Sequence, residues 1–406
     1  MSVPTGYSVI GYGDMITCEP RMSAYAEALR QAITPGCTVI DIGAGSGIFS
    51  LLACRYGAGS VIAIETHDAV ELLHAAAVAN GVRDRITVVQ GLSTEFAATV
   101  KADVIISDLR GCLPLFEGHI PTIVDARERL LAPGGRLIPM RDRLRVALAN
   151  HPKTHNSYEE PWLHNKFGLD LSTAHRFAVN QWRKVNFAPA DLISNAQDLL
   201  VLDYSVISDP NIKVETELTA ERAGTAHGFV VWFDAELGPG IGFSNAPGEP
   251  EQVYSQSFFP FERAVELTRG DRIEIKLKAN LIDGSYVWSW NSCVWRSSSK
   301  LPETTYRQST FLSKILSPRK LAMRSSRFVP PARHAHAVDR HCLSLFDGVK
   351  TLGEIAHEVS TEFPDAFTNS VDALRHVTEL AERYHKGAVQ FEKPNSAIAP
   401  VEDDFQ

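Results

Sequence analysis

The segment Val39-Ile-Asp-Ile-Gly43-Ala-Gly45-Ser-Gly47-Ile-Phe49 decides the fold of this chain. It has the pattern of a short apolar strand that runs into closely spaced glycines and then opens a helix. Glycine adopts backbone conformations that other residues avoid, and it lets a ligand approach the main chain without a Cβ in the way. Ligands of open α/β sheets bind at the carboxyl ends of strands, near such a turn. The segment therefore predicts a ligand-binding α/β domain.

The sequence around this segment continues the alternation of strands and helices. Short strands rich in Val and Ile are predicted at residues 38–42, 61–65, 86–89, 103–107, 136–139 and 144–149. They lack polar alternation, as expected for strands covered on both faces. Predicted helices at 68–80 and 120–131 end at glycines or at Pro-Gly-Gly. We assign residues 36–150 to a doubly wound, Rossmann-like domain that follows helices in residues 1–35.

The pattern changes after this domain. Residues 151–296 are rich in predicted strands, with a hairpin turn at Asp283-Gly284, and indicate a β-barrel or a β-sandwich. Residues 297–335 have the composition of a linker, and residues 336–392 form a small helical domain before a tail at 393–406. In that domain Thr351 and Glu354 form a capping box. One helical face is predicted from the apolar residues Val371, Leu374, Val377, Leu380 and Tyr384.

Length and composition limit the class of protein. The 406 residues suggest two or three domains, and the net charge of -8 argues against general attraction to nucleic acid or an anionic membrane. We find no secretion signal and no apolar stretch near the roughly 20 residues that span a bilayer. The six cysteines form no C-x-x-C pair, so reduced cytoplasm is the expected location. His334, His336, His341 and Cys342 lack a recognised ligand spacing, and we expect no metal.

Two acids sharpen the prediction of a ligand. Asp41 lies near the end of the first strand, ahead of the glycines, and Glu65 ends the second, twenty residues after Gly45. A carboxylate at that place can accept both ribose hydroxyls of a nucleotide-containing ligand. A dinucleotide enzyme stays open, although position 48 is Ile where G-x-G-x-x-G requires glycine. The combination resembles the class I methyltransferases, which implies S-adenosyl-L-methionine as cofactor and S-adenosyl-L-homocysteine as product.

The fourth strand ends at Asp108, and a loop leads from it to a second acid, Glu117. One alternative is structural: Asp108 caps the loop and Glu117 begins the next helix. However, the spacing of i and i+9 resembles the two-glutamate loop of the protein arginine methyltransferases. Other segments resemble the same family in the family's own order, over roughly residues 7 to 295. They are residues 15–25 (a helix that covers the cofactor), 130–139 (the strand that closes the Rossmann domain), 162–172 (a dimerisation arm) and 228–236 (the β-barrel).

The resemblance implies roles for individual residues. Asp108 and Glu117 would be the catalytic pair, since carboxylates bind the planar, permanently charged guanidinium in bidentate fashion. Arg21 would pair with the cofactor carboxylate. The implied cofactor-binding residues are Tyr12, Met15, Arg21, Asp41, Gly43, Ala44, Gly45, Ser46, Gly47, Glu65, Thr66, Ser93 and Thr94. The implied substrate-binding residues are Tyr7, Arg110, Tyr254 and Gln256. A homodimer is expected through an arm at about 158–186.

Three departures from the family pattern concern the substrate. Asp108 stands where the family has glutamate, and the lost methylene shortens its reach by about 1.5 Å. Arg110 lies inside the acid loop, where it can turn outward, neutralise an acid or grip a substrate carboxylate. The family's Thr-His-Trp loop is missing; its nearest match is Gln252-Val253-Tyr254. No histidine is therefore available there to support the acids, and Tyr254 can line the substrate channel.

The carboxyl-terminal domain carries a second resemblance. Leu345-Phe-Asp-Gly348 and Thr351-Leu-Gly-Glu-Ile355-Ala356 are similar to the small PqqD-like winged-helix domains. In peptide natural-product pathways these domains bind leader peptides by strand addition; a plain accessory helical domain is the alternative. The leading hypothesis is a methyltransferase of arginine in a peptide or protein. Methylation of a small molecule such as free arginine, and a non-catalytic cofactor-binding partner protein, are the alternatives.

Overall fold

The computed structural model describes residues 7–331 and 334–384, with the backbone alone at 334 and 335. The chain forms two compact units that divide between Ile315 and Leu316. Predictions for residues 1–6, 332–333 and 385–406, including the tail, lie outside the described residues. None of the helices in the described ranges has both the length and the hydropathy needed to cross a membrane.

The first unit opens with two helices, α1 (Val9–Thr17) and α2 (Glu19–Ala32). The Ser8 hydroxyl accepts a hydrogen bond from the Gly11 amide and so caps α1. Helix α1 buries none of its residues, whereas α2 buries Tyr25 and Leu29 completely. Helix α2 is therefore part of the core, and α1 lies on the surface.

A five-stranded parallel sheet follows. Its elements are β1 (Thr38–Ile42), α3 (Ile48–Arg55), β2 (Ser60–Glu65), α4 (Val70–Ala79), β3 (Ile86–Gln90), β4 (Ala102–Ser107), α5 (His119–Asp125) and β5 (Leu131–Ile138). The strand order is β3-β2-β1-β4-β5, and every pair is parallel. The order reverses between β1 and β4, so the sheet has its ligand-binding edge where these two strands end. This confirms the prediction of a doubly wound α/β domain.

The antiparallel part of the unit contains two helices and ten strands. They are β6 (Arg141–Ala149), α6 (Pro152–Leu163), α7 (Ser172–Ala178), β7 (Arg183–Val185), β8 (Gln197–Asp203), β9 (Ile212–Thr219), β10 (Gly224–Gly238), β11 (Ile241–Ser244), β12 (Gln256–Leu267), β13 (Arg272–Ile282), β14 (Ser285–Trp295) and β15 (Pro302–Ser309). One sheet has the order β7-β12-β10-β6-β8, with β11 beside β10; the other has the order β15-β14-β13-β9. Phe229 and Phe259 of the first sheet pack with Trp290 of the second in one core. Within the described residues the sheets do not close into a barrel; the predicted sandwich fits, and the predicted barrel is wrong.

The strand predicted at 144–149 belongs to this second architecture and not to the parallel sheet. Strand β6 pairs antiparallel with β10 and β8. Leu144 and Val146 face the core between the sheets, while Ala147 and Ala149 pack into another apolar cluster on the other face. Because both faces are buried, the strand shows the unbroken apolar run that is typical of parallel strands. Residues 141–149, which the sequence prediction placed in the Rossmann-like domain, therefore pair with the antiparallel strands.

The predicted hairpin is present, whereas the predicted linker contains a strand. Asp283 and Gly284 have φ values of +49° and +77°, as a two-residue type I′ hairpin requires, and they join β13 to β14. This confirms the predicted hairpin. The predicted linker at 297–335, in contrast, contains the edge strand β15. Its proline stands at the first position, where the missing N–H costs no ladder bond.

The second unit contains α8 (Pro318–Met323), α9 (His334–Ser344), α10 (Leu352–Glu362) and α11 (Ser370–Tyr384). The capping box of Thr351 and Glu354 is present at the start of α10. The buried face of α11 is Ala373, Val377 and Leu380, whereas Val371 is 71% exposed. The predicted face was shifted because a small residue, Ala373, makes the close helix contact. Among the described residues of this unit there is no strand, so the winged-helix prediction has helices alone to support it.

Phe229→Ala is expected to lower the free energy of unfolding by about 3–5 kcal/mol, because it removes a wholly buried ring stacked on Phe259. Urea unfolding measures the change. Phe311→Ala removes a ring that is 62% exposed and serves as the control, with less than about 0.5 kcal/mol of change. Equal losses for both variants would contradict the placement of the core.

Candidate active site

The glycine turn after β1 has the backbone that its sequence predicts. Gly43, Gly45 and Gly47 have φ values of +74°, +53° and +86°, all in the left-handed region. A Cβ on Gly47 would lie 2.1 Å from a Leu73 methyl carbon, and one on Gly45 would lie 2.6 Å from the Tyr12 ring. Side chains at these positions would clash as well as strain the backbone. Leu73 and Tyr12 therefore pack directly against the backbone of the turn.

Glu65 ends β2 and is held against this turn. One carboxylate oxygen accepts a hydrogen bond from the Gly45 amide at 2.8 Å, and the other accepts from the Thr66 and His67 amides at 2.8 and 3.0 Å. The residue is 7% exposed. The Gly45 amide occupies one lone pair of Oε2, so the other lone pair of that oxygen remains for a hydroxyl donor of a ligand. Glu65 thus lies where the sequence placed a ribose-binding acid.

Asp41 supplies a second acid at the same edge of the sheet. It is wholly buried, and Ser50 donates a hydrogen bond to its Oδ2. Its Oδ1 has no hydrogen-bond partner among the described residues. Burial raises the pKa of Asp41 to about 7. A buried oxygen without a donor is costly, and a donor from a bound ligand would satisfy it. The buried acceptor, the glycine turn and Glu65 together fit S-adenosylmethionine.

The remaining predicted cofactor residues surround this turn from three segments. Tyr12 of α1 lies against Gly45, and burial together with the nearby Glu65 raises its pKa to about 12. The Met15 carbonyl accepts a hydrogen bond from Arg21 at 3.1 Å. Ala44 and Ser46 are part of the turn itself, and Thr66 follows β2. Ser93, which is buried, and Thr94, which is exposed, lie in the loop after β3 at the same edge of the sheet. Their contacts to a cofactor remain predictions.

Asp108 lies directly after β4, and side chains of the protein already bind its carboxylate. Its Oδ2 accepts hydrogen bonds from Arg21 Nε and from the Tyr254 hydroxyl, each at 2.6 Å. Its side chain is 7% exposed. Burial by itself would raise the pKa of Asp108, but Arg21 and Arg110 hold it below the ordinary value. Arg21, which the sequence paired with the cofactor carboxylate, therefore pairs with an acid of the protein in this structure.

Arg110 points into the core. Its side chain has no exposed surface; Nε lies 3.6 Å from Asp108 Oδ1, and Nη1 lies 3.3 Å from Asp142 Oδ1. Its Nη2 donates a hydrogen bond to the Tyr25 hydroxyl at 3.2 Å, and the guanidinium lies 5.3 Å from the Phe233 ring centre. The substrate-binding role expected of Arg110 does not fit this position, because no part of its side chain is exposed. Of the alternatives considered, neutralisation of an acid matches this position.

The loop before β12 corrects two further predictions. Tyr254 is 5% exposed, and its hydroxyl supports Asp108 in place of the absent histidine, so it does not line an open channel. Gln256 accepts from the Phe187 amide at 2.8 Å and donates to the Asn245 carbonyl at 2.6 Å. Both ends of this buried amide are used within the protein. Gln256 therefore fixes the loop, and the substrate-binding role expected of it does not fit.

Glu117 and Tyr7 form the open side of the site. Glu117 is exposed and has a φ of +42°, and helix α5 begins after it with Gly118 as N-cap. It therefore does not begin the helix, and Asp108 bonds to side chains instead of capping the loop. Tyr7 is 63% exposed; burial and then the charges of Asp108 and Glu117 raise its pKa. The ring thus lies within electrostatic reach of both acids.

Sequence reasoning missed four buried residues of this region: Tyr25, His119, Asp142 and Tyr204. The Tyr204 hydroxyl donates to Asp142 and lies 3.0 Å from His119 Nε2. Burial lowers the pKa of His119 to about 3, so its ring is neutral at physiological pH. The sequence offered one signal for this buried group: Asp142 is an acid near the start of a largely apolar strand. An acid that is buried there needs charged or hydrogen-bonding partners.

Two family models match the first unit. The arginine methyltransferase oligomerization subdomain matches residues 153–290, which include α6, α7 and most antiparallel strands. Ribosomal protein L11 methyltransferase matches residues 22–138, which include the parallel sheet. The two matches therefore divide near the boundary between the α/β and antiparallel parts.

Curated relatives and solved structures agree with these matches. Protein arginine N-methyltransferase 1 of Dictyostelium discoideum is 28% identical over 276 residues, covering 66% of this chain and 81% of the relative. Arginine N(omega)-methyltransferase of Streptomyces achromogenes subsp. streptozoticus is 29% identical over 270 residues, covering 65% and 74%. The Trypanosoma brucei PRMT1 enzyme-prozyme complex with AdoHcy has the same fold, with a TM-score of 0.68 at 22% identity over 73% of this chain and 96% of that one. The chain is therefore similar to the protein arginine methyltransferases in sequence and in fold.

Proposed function

We propose that the chain is an S-adenosylmethionine-dependent methyltransferase that methylates the guanidino group of arginine in a peptide or protein. The observation that carries this proposal is the pair of acids at the end of β4, Asp108 and Glu117, within reach of the glycine turn. Leu109, which follows Asp108, packs so closely on Gly43 that a Cβ there would lie 2.4 Å from its methyl carbon, and Tyr12, which contacts Tyr7, lies against Gly45. The acid loop is thus in direct contact with the cofactor turn.

The bound cofactor would supply a methyl group on a positively charged sulfur. Glu65 would bind the ribose hydroxyls, because it ends β2 beside Gly45 and keeps acceptor capacity. The glycine turn would let the cofactor approach the backbone of residues 43–47. Tyr12 would cover the cofactor from the side of α1. These residues bind and orient the cofactor, and the acids act on the acceptor.

A guanidinium is a poor nucleophile because its nitrogen lone pairs are delocalised over a permanently charged group. Glu117, the exposed acid, can bind two N–H groups at one edge of the guanidinium and aim the third nitrogen at the methyl group. Its charge also favours positive charge at the bound edge, which leaves more electron density on the attacking nitrogen. Asp108 holds Arg21 and Tyr254 in place beside it. The proton lost by the methylated nitrogen can be held by a Glu117 carboxylate oxygen.

One relative favours a second candidate acceptor. The Streptomyces relative at 29% identity is named arginine N(omega)-methyltransferase, without the word protein. Free arginine carries a carboxylate that a peptide arginine lacks. Arg110 cannot bind that carboxylate because its side chain is wholly buried. The peptide or protein acceptor therefore stays the leading proposal, with free arginine as the alternative.

We also propose that the second unit helps to select a peptide acceptor, as PqqD-like domains do. The support is the helical sequence pattern, with the capping box at Thr351 and the core of Ile355, Val359 and Val377. A non-catalytic partner protein is the remaining alternative, and the presence of both acids argues against it. A cytoplasmic location is proposed because all six cysteines are free thiols.

A homodimer is proposed through the helical hairpin of α6 and α7. The family model of an oligomerization subdomain includes this hairpin. The end of α6 and the loop after it expose four large apolar residues, Leu163, Phe167, Leu169 and Leu171, at 40%, 79%, 60% and 38%. Exposed apolar residues clustered in one loop are typical of a protein interface.

Glu117→Gln is expected to lower kcat/KM for an arginine-containing peptide by at least about 10²-fold, because a neutral amide no longer pairs with the guanidinium. Mass spectrometry after incubation with S-adenosylmethionine measures the gain of one methyl group. Glu128→Gln, an exposed acid next to Arg127, is the control and should keep the wild-type rate. Full activity of the Glu117 variant would remove that residue from the reaction.

Free arginine, an arginine-rich peptide and cell extract should be offered in parallel to the wild-type chain. The leading proposal expects the methyl group on the peptide or on a protein of the extract. Methylation of free arginine alone would establish the alternative acceptor. Cofactor binding by calorimetry without methylation of anything would favour the non-catalytic reading.

Phe167→Glu is expected to convert a dimer into a monomer, because a charge at this exposed ring opposes burial in an interface. Light scattering coupled to gel filtration measures the mass. Phe311→Glu, another exposed ring of the same unit, should leave the mass unchanged. A wild-type chain that is monomeric at micromolar concentration would contradict the proposed dimer.

A further inference from the structure

Four buried charged residues form one network behind the acid loop: Arg21, Asp108, Arg110 and Asp142. Arg21 lies 2.6 Å from Asp108, Asp108 lies 3.6 Å from Arg110, and Arg110 lies 3.3 Å from Asp142. Two positive and two negative charges alternate, so this charge network is neutral as a whole. It joins α2 through the acid loop to β6.

The network encloses both carboxylate oxygens of Asp108. Its Oδ2 has two donors at 2.6 Å; its Oδ1 has no hydrogen-bond partner among the described residues, but it is buried and lies 3.6 Å from Arg110 Nε. A guanidinium that approached Asp108 would meet the charges of Arg21 and Arg110 on either side. Glu117, in contrast, is exposed and has no ion pair among the described residues. The two acids of the loop are therefore unequal.

The space inside the network fits the short side chain of Asp108. Glutamate there would carry its carboxylate about 1.5 Å further. Arg21 Nε and the Tyr254 hydroxyl already lie at 2.6 Å, so the added methylene would have to displace one of them. Overpacking of a buried site forces side chains out of their preferred conformations. Asp108 and Arg110 thus occupy the space together.

We propose that Arg110 and Asp142 are positioning residues: they hold the short acid Asp108 in place, and they leave Glu117 as the one acid that binds the acceptor guanidinium. Arg110 fills the space beside the short side chain and faces its Oδ1. Asp142 cancels the charge of Arg110, which would otherwise repel a cationic acceptor. The inference rests on the proposed function and deepens it. It also explains why the acid loop tolerates an arginine.

The first test is whether position 108 and the Arg110–Asp142 pair depend on each other. Asp108→Glu restores the longer acid and is expected to lower kcat by at least about tenfold, because shifts of about 1 Å can cost 10²-fold. Adding R110M and D142N makes room and removes both charges together. The triple variant is expected to be about tenfold faster than D108E alone, since residues in contact are not additive.

The second test is the pH profile, which a purely structural role would not move. The groups that face Asp108 are Arg21 and Tyr25 of α2, Arg110 of the loop, His119 of α5, Asp142 of β6, Tyr254 before β12 and Tyr7 before α1. Removing the Arg110 charge makes ionised Asp108 less favourable; removing the Asp142 charge has the opposite effect, but Asp142 lies beyond Arg110 and acts more weakly on Asp108. The acidic limb of kcat/KM is therefore expected at higher pH in R110M/D142N than in the wild type.

Arg127→Met is the matched control, because Arg127 is a largely buried arginine that donates to the Tyr204 and Ile207 carbonyls. It should lower the Tm without moving the acidic limb. The proposal is overturned if D108E alone is as active as the wild type, if R110M/D142N does not improve D108E, or if its acidic limb coincides with that of the wild type.

Thermal unfolding separates this inference from the proposed function. The Tm of D108E is expected to fall, and the Tm of D108E/R110M/D142N is expected to lie above it. This comparison of Tm values requires no catalytic turnover, so it tests the network even if the wild type methylates no arginine. A wild type that methylates arginine while the Tm changes of the variants simply add would overturn the network and leave the function standing.

Discussion

The ion pair between Arg21 and Asp108 is the interaction on which the first unit's active site depends. Both side chains are almost completely buried, at 5% and 7% exposure. Removing one partner of a buried pair leaves an uncompensated charge, at a cost of about 3–5 kcal/mol. The pair also fixes α2 against the end of β4. Since α1 connects directly to α2, the same pair sets where the residues that cover the cofactor turn can lie.

The charge network extends this constraint across the two architectures of the unit. Asp108 follows a parallel strand, whereas Asp142 lies on an antiparallel one, and Arg110 joins them. Burial of an arginine is tolerated because it has two acids, one tyrosine hydroxyl and aromatic rings around it. The rings of Phe233 and Phe243 come from β10 and β11. The acid loop is therefore shaped by the antiparallel sheet as much as by the strand that precedes it.

The unequal surroundings of the two acids are the main chemical result. A loop with two carboxylates suggests two equivalent groups for a guanidinium. Here one carboxylate is bound by the protein, with its pKa held below the ordinary value, and the other is exposed. The difference arises from neighbours that are distant in the chain, since Tyr254 is 146 residues from Asp108. The alternation of charges keeps the buried part neutral and leaves Glu117 as the exposed charge of the loop.

The sequence by itself determined the parallel sheet, the glycine turn, Glu65 and the position of both acids. These features are local: glycines at fixed spacing, apolar strands and an acid at a strand end each impose their geometry on a few neighbouring residues. The hairpin at Asp283-Gly284 was predictable for the same reason. The tertiary structure alone decided that β6 joins the antiparallel sheet, because a strand buried on both faces has one apolar pattern in either sheet. It also decided that Arg110 turns inward and that Tyr254 supports Asp108. Those orientations depend on charges and free volume that only long-range contacts bring together.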